Sequence, residues 1–244
     1  MSMVVLGFFL LVCRALNKRT HEVPRGMQNG AEAVLETMLS FADNVTGSRA
    51  ASIRFLPMTG SIFFFVLFSN WFGLIPGVGS IGFTAQHEGS EVFVPFFRAA
   101  SADLNFTLAL ATISVVAAQV YGMQTIGTLR YWKKFFFPPW QSPYVIGTFV
   151  GVLEFLSEFA KIISFSFRLF GNIFAGEILL AVMGFLAPYL APTPFIVLEI
   201  FVGAVQAMVF ALLSLVFFTI ATKDHESNEH AHPAEDASLS EAMP

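Results

Sequence analysis

Charged residues are scarce in this 244-residue chain, and its other absences narrow what it can be. Asp, Glu, Lys and Arg make up 12% of the residues, against about 25% in soluble domains. The single cysteine, Cys13, excludes an internal disulfide framework and offers no metal site. None of the five histidines falls inside an apolar run, which argues against a metal or a histidine catalyst within a membrane. Basic residues form only short clusters, so a nucleic-acid partner is disfavoured.

What the chain has instead is 55% hydrophobic residues, including 30 phenylalanines. Apolar runs of about 20 residues are typical of membrane-spanning helices. We therefore predict an all-α integral membrane protein with about five membrane-crossing helices, one interfacial amphipathic helix and a long, strongly tilted helical hairpin. The predicted parts are a single membrane domain at 1–222, with spans at 1–16, 53–75 and 103–126, a surface helix at 26–46 and a hairpin of 144–187 and 195–222, followed by a polar C-terminal tail at 223–244.

The first two segments each allow a second interpretation. The apolar core of residues 1–16 is only about a dozen residues, shorter than the ~20 needed to span. We interpret it as a membrane helix whose upstream end is truncated; a signal peptide is the alternative, although a basic start and a small-residue cleavage site before Arg14 are missing.

In 26–46, apolar residues recur at i, i+4, i+7 and i+8 from Met27, which predicts an amphipathic helix in the membrane interface or, alternatively, a partner-binding helix in solution.

The longest element lies between Pro143 and Pro188, where no proline or turn cluster interrupts the chain. As one helix it would be roughly 66 Å long, whereas the hydrocarbon core is about 30 Å thick. It is therefore either two spans meeting near Arg168 or one oblique helix. We prefer the oblique helix, because Gly171 and Gly176 permit a bend but make no convincing loop.

Lys and Arg in short loops predict the orientation. The basic residues from Arg14 to Arg54 lie on one side, and those from Arg130 to Lys134 return to it after two further crossings, whereas Arg98 stands alone on the other. Five crossings then place the N-terminus outside and the C-terminus in the cytoplasm or matrix.

Arg168 is the least expected residue, because it lies in the middle of the apolar run KIISFSFRLFGNIFAGEILLAV. A guanidinium stays charged at any relevant pH, and placing it at mid-membrane costs about 2.5–3.5 kcal/mol on lenient scales. It has no carboxylate three or four residues away, so its counter-charge must come from another helix or another protein. On a continuous helix, an arc of about 80° holds Glu154, Glu158, Lys161, Arg168 and Asn172.

The other polar residues of the predicted spans could have structural or functional roles. Glu158 and Lys161 are spaced for an ion pair, and structural and functional roles are both open. Glu177 lies about 180° around the helix from Arg168, so the two cannot serve one face without a bend. In the last span, Gln206 is equally suited to interhelical hydrogen bonding and to function, whereas Glu199 favours function, because a buried carboxylate needs water or a shifted pKa.

Three motifs resemble one family closely. RLFGNIFAGE at 168–177 is similar to the signature around the essential arginine of subunit a of the F-type ATP synthase membrane sector. NWFGLIPG at 70–77 and SADLNFTLALA at 101–111 are similar to two further segments, in the right order. The resemblance covers essentially the whole chain. It implies a membrane-surface helix and a long tilted helix pair that curves against a rotating ring of c subunits.

The resemblance also implies roles for individual residues. Arg168 would face the ion-binding carboxylates of the ring and drive their deprotonation. The outer half-channel would be lined by Asn172, Glu177, Glu199 and Gln206, and the inner one by Glu154 and Ser157. Several family members carry histidine near Glu177 or at the position of Glu199, so the proton affinity of this path is expected to differ here.

The implied function is a proton-translocating stator subunit that couples proton flow to ring rotation and ATP synthesis and is not catalytic by itself. The expected partners are the c-subunit ring, peripheral-stalk b-type subunits, the rest of the complex and the lipid bilayer; no cofactor or metal is expected besides the transported proton. We expect a multi-pass protein of a bacterial inner membrane, or alternatively a mitochondrial one. Rival classes are a stand-alone ion channel or carrier and a membrane-embedded hydrolase, and the sequence does not exclude sodium as the ion.

Overall fold

The computed structural model describes most of the predicted membrane domain. The described residues are 2–17, 27–75, 77–78, 82–87, 90–96, 98–128, 131, 144–187 and 192–222. The predicted tail at 223–244 lies outside them.

Six α-helices of 16 residues or more make up most of the described chain. They are α1 (Ser2–Asn17), α2 (Met27–Thr46), α3 (Arg49–Gly73), α4 (Leu104–Ile126), α5 (Tyr144–Leu186) and α6 (Pro192–Thr222). A short 3₁₀ turn, Ala100–Ala102, leads into α4, whose first turn is capped by the Asp103 carboxylate accepting from the Asn105 N–H at 2.8 Å. The predicted all-α class is confirmed.

Four of these helices are long and apolar enough to cross a membrane: α3, α4, the Gly151–Leu186 part of α5, and α6. The apolar part of α1, Ser2–Leu11, is shorter than this. The chain is therefore a multi-pass membrane protein, while the crossing by α1 and the interfacial position of α2 stay predictions.

The long element is one continuous helix. α5 runs for 43 residues without a break, which corresponds to about 64 Å, more than twice the ~30 Å hydrocarbon core. The alternative of two spans meeting near Arg168 is therefore wrong. Within its most apolar window α5 is only 17% buried, against 39% for each of the other three spans, so most of its surface is left for lipid or a partner.

The last helix begins earlier than its composition suggests. We expected a start near residue 195, after two prolines, but α6 begins at Pro192. A proline in the first turn of a helix loses no hydrogen bond, because the first N–H groups have no partner within the helix.

The segment between α3 and α4, which reads as a Gly-rich acidic loop, contains a β-hairpin. Strand β1 (Gly82–His87) pairs antiparallel with β2 (Ser90–Pro95), with Gly82 opposite Pro95. β-branched and aromatic residues in both strands favour this structure.

Small polar residues let the helices approach closely. The fully buried side chains include Ser52, Ser69, Ser101, Thr107, Ser114, Ser166 and Ser214. Thr107 on α4 and Ser166 on α5 share a hydrogen bond of 3.0 Å. Around them pack large apolar side chains such as Phe55, Leu169, Phe210 and Phe218. Such small-residue interfaces are typical of helix packing in membranes, where lipid tails remove the usual hydrophobic drive.

Candidate functional site

Arg168 lies on the exposed side of α5, near its middle. Its guanidinium carbon is 6.0 Å from the centre of the Phe165 ring. Among the described residues, no carboxylate lies within ion-pair distance of it. It borders an open cavity of about 300 Å³ that Ser157, Lys161 and Ser164 also line. The charge is therefore presented outward from this chain.

Towards the C-terminal end of α5, Glu177 is held by a residue that sequence reasoning did not assign to the site. Arg98, just before the 3₁₀ turn, donates to Glu177 Oε2 from Nη2 at 2.9 Å and from Nε at 3.3 Å. The only signal in the sequence was that Arg98 is the sole basic residue predicted on that side. Two donors on one carboxylate oxygen make this a charge-assisted contact.

Glu199 on α6 belongs to the same end of the molecule. Its side chain is buried, with 7% of its surface exposed, and its carboxylate packs against the backbone of Gly176 where any larger residue would place a Cβ. The charges of Glu177 and Glu199 are close enough to interact. Here a glycine is required by close approach rather than by backbone conformation.

Asn172 on α5 and Gln206 on α6 form a further pair, which we group with Arg98, Glu177 and Glu199 as one cluster. Asn172 Nδ2 lies 3.5 Å from Gln206 Oε1, a long contact that joins α5 to α6. Gln206 is buried, and its Nε2 has no hydrogen-bond partner among the described residues. The four residues that the resemblance assigned to the outer path thus lie on facing parts of α5 and α6, with Arg98 beside Glu177, and their role in proton flow stays a prediction.

A second cluster lies towards the N-terminal end of α5. Lys161 donates to Glu158 Oε1 at 2.7 Å, and its ammonium lies 5.4 Å from the centre of the Phe217 ring. A small cavity of about 70 Å³ is lined by Glu154, Glu158, Lys161, Gln119 and Tyr131. Ser157, expected on the same path, turns its hydroxyl to the Glu154 carbonyl at 2.7 Å and borders the Arg168 cavity instead.

Gln119 and Tyr131 were missed from the sequence. Gln119 is one of three amides in an apolar helix, and Tyr131 belongs to an aromatic turn, so neither has a local signal for a role in a site. Burial, followed by the charges of Glu158 and Glu154, raises the pKa of Tyr131 to about 12. Its phenol therefore keeps its proton at any physiological pH.

The two clusters are separate, and Arg168 lies between them. Along α5, Glu158 is about 15 Å and Glu177 about 14 Å from Arg168 by helical rise. A multi-pass helical protein with two disconnected polar clusters and an outward-facing arginine between them has the features of an ion-translocating membrane subunit.

Comparison with known proteins gives the family. The family model described as "ATP synthase A chain" matches residues 1–219. The chain is 34% identical over 231 residues to ATP synthase subunit a of Syntrophobacter fumaroxidans, covering 94% of this chain and 82% of the relative. It is 33% identical over 219 residues to that of Campylobacter jejuni, covering 90% and 87%, and 31% identical over 234 residues to that of Helicobacter pylori, covering 92% of each.

The chain belongs to the family of subunit a of the F-type ATP synthase. It is a proton-translocating subunit of the membrane sector and takes part in ATP synthesis as a member of the ATP synthase complex.

Proposed function

We propose that this chain conducts protons through two offset half-channels, one at each end of α5, and that Arg168 keeps them apart. The observation that carries the proposal is the outward-facing Arg168, without a carboxylate partner in the described chain, between two separate polar clusters. The outer half-channel is the cluster of Arg98, Asn172, Glu177, Glu199 and Gln206. The inner half-channel is the cluster of Glu154, Glu158 and Lys161, with Ser157 beside it.

The proposed mobile partner is a ring of c subunits with ion-binding carboxylates. α5 also exposes large apolar residues on the side of Arg168: helical spacing places Leu153, Val182 and Leu186 within about 60° of it. An apolar surface with one fixed positive charge fits a lipid-embedded partner that presents a carboxylate. Peripheral-stalk b-type subunits are proposed as further partners on the family resemblance alone.

The charges define a cycle. A proton entering from the outer half-channel neutralises a ring carboxylate, which can then rotate into lipid. After nearly a full turn the carboxylic acid reaches the inner half-channel, where Arg168 favours the ionised form and the proton leaves towards the inside. The fixed charge also opposes a direct proton leak between the half-channels. Each proton that crosses 100 mV releases about 2.3 kcal/mol, so several are needed for each ATP made elsewhere in the complex.

The membrane proposed for this protein is a bacterial inner membrane, as its compared relatives are bacterial. No cofactor is assigned to it, because the cycle needs only the transported proton.

Replacement of Arg168 tests the proposal. We expect Arg168→Ala to abolish ATP-driven proton pumping in membrane vesicles, and Arg168→Lys to fail too, because an ammonium is a point charge rather than a planar fork. Arg49→Ala is the matched control, since it removes the same charge from an exposed pair with Asp43 far along the chain. Proton pumping by Arg168→Ala vesicles at the rate of the Arg49→Ala control would refute the proposal.

A further inference from the structure

Tyr131 is held in place by the shape of the helix end beside it. After Gly127, which has a φ of 95°, the Tyr131 N–H donates to the Gly127 carbonyl at 2.9 Å. The side chain is almost fully buried, with 4% of its surface exposed. A Cβ at Gly122 would lie 2.5 Å from Tyr131 Cε2 and 2.8 Å from the Ala221 carbonyl oxygen, so only glycine there leaves room for this ring between α4 and α6.

The phenol of Tyr131 donates a hydrogen bond to Gln119 Oε1 on α4. These two side chains, with Glu158, line both the small polar cavity of about 70 Å³ and a second cavity of about 560 Å³. The second cavity lies between α4 and α5, and its other lining residues are mostly apolar, such as Val116, Phe155 and Phe159. The Tyr131–Gln119 pair therefore lies in the wall between a charged chamber and an apolar one.

Among the described residues, the charged groups that line the small cavity come from one helix. α5 contributes Glu154, Glu158 and Lys161 to the small cavity, whereas α6 contributes only Phe217, Ile220 and Ala221. Tyr131 stays protonated, so it acts as a hydrogen-bond donor and not as a proton acceptor. Gln119 accepts this bond with its amide oxygen.

We propose that the Tyr131–Gln119 pair is the positioning element of the inner half-channel: it closes the chamber of Glu154, Glu158 and Lys161 against the apolar cavity and keeps its carboxylates in line for proton exit. This inference rests on the proposed function. Neither side chain exchanges a proton in the cycle; each keeps the bond between them while protons pass by the carboxylates and return them to their starting state.

The test compares two tyrosine variants. Tyr131→Phe keeps the ring on Gly122 but removes the hydroxyl, and we expect the rate of ATP-driven proton pumping to fall about threefold to tenfold with normal assembly. Tyr121→Phe is the matched control, because Tyr121 lies on α4 and packs its ring against Phe55 and Phe218 outside both cavities. We expect it to pump at the wild-type rate.

Gln119 supplies the second arm, which also applies if Tyr131→Phe does not assemble. We expect Gln119→Leu to show the same loss and Gln119→Glu to restore pumping, since a carboxylate also accepts the phenol hydrogen bond. We also expect the inner-side pH dependence of pumping to shift in Tyr131→Phe and Gln119→Leu, which a purely structural role would leave unchanged.

Two results would overturn the inference. One is wild-type pumping and pH dependence in both Tyr131→Phe and Gln119→Leu, and the other is an equal loss in Tyr121→Phe. Arg168→Ala, measured in parallel, separates this from failure of the proposed function. If Arg168→Ala does not pump protons while Tyr131→Phe pumps normally, only the positioning role is wrong. If Arg168→Ala pumps protons, the half-channel proposal itself is wrong.

Discussion

The charged side chains Lys161, Glu177 and Glu199 each contact a different kind of neighbour: a residue of the same helix, a residue of a connecting segment, or a glycine backbone. Lys161 has Glu158 on its own helix, one turn away, whereas Glu177 is held by Arg98 from a connecting segment. Glu199 has a glycine backbone against its carboxylate. Arg168 alone among these charges points away from the chain. Since a charge in a membrane needs compensation and the described residues place no carboxylate beside Arg168, we propose that its partner comes from outside the chain.

Because Gly176 and Glu199 lie so close together, we expect that adding a single methyl group at Gly176 affects function. In Gly176→Ala, the new Cβ would occupy the position of the Glu199 carboxylate. Because this carboxylate is the end of a flexible side chain, we expect it to be displaced without loss of the fold. We expect the ATP-driven pumping rate to fall by about tenfold or more, as small misplacements of functional groups are costly.

Gly184→Ala is the control for this change. It lies on the same helix, and a Cβ there would meet nothing within 4 Å. Equal pumping rates in the Gly176→Ala and Gly184→Ala vesicles would mean that the position of Glu199 does not matter for proton flow.

At the scale of elements, α6 is tied to the end of α3 by polar contacts within a largely apolar bundle. Asn70 near the end of α3 donates to the Gly203 carbonyl on α6 at 3.1 Å and accepts from the Ser101 hydroxyl at 2.7 Å. The Trp71 indole donates to the Ile200 carbonyl at 3.1 Å. One motif, NWFGLIPG, thus positions the helix that carries Glu199 and Gln206.

We therefore expect Asn70→Ala to destabilise the protein. The substitution leaves the buried Ser101 hydroxyl without its acceptor and removes the additional hydrogen bond to the Gly203 carbonyl, which costs about 1–3 kcal/mol. Equilibrium unfolding in mixed detergent measures the change. Asn44→Ala, an exposed position on α2, is the control; identical unfolding midpoints for the two variants would contradict the bracing role of Asn70.

At the scale of the whole molecule, Arg168 lies on α5 between the two polar clusters. By helical rise, Glu158 and Glu177 lie roughly 28 Å apart, and the nearest members of the two clusters, Lys161 and Asn172, about 16 Å apart. This arrangement makes a prediction that separates the proposal from a stand-alone channel or carrier. In liposomes that contain only this chain, we expect no proton conductance above that of empty liposomes under an imposed potential.

The matched measurement uses liposomes that contain the complete membrane sector, in which protons are expected to pass. Conductance by the isolated chain at a rate comparable to that of the complete sector would favour the stand-alone channel. It would also mean that Arg168 does not separate the half-channels.

The sequence by itself determined the class of this protein and the position of its central charge. Hydropathy and the scarcity of charged residues are local properties, so they indicate membrane helices without any knowledge of packing. The continuity of α5 could be expected because no proline breaks it, and the RLFGNIFAGE motif marks Arg168 directly. The β-hairpin and the start of α6 at Pro192 were harder to predict from the sequence, since turn sequences and prolines also occur in irregular loops.

Only the tertiary structure decided which residues meet. The contact of Arg98 with Glu177, that of Gly176 with Glu199 and that of Tyr131 with Gln119 join residues from different segments or across a chain turn. Helical periodicity places a side chain on a face but does not say which other segment lies opposite that face. Close packing of six helices sets those partners, and with them the separation of the two polar clusters by Arg168.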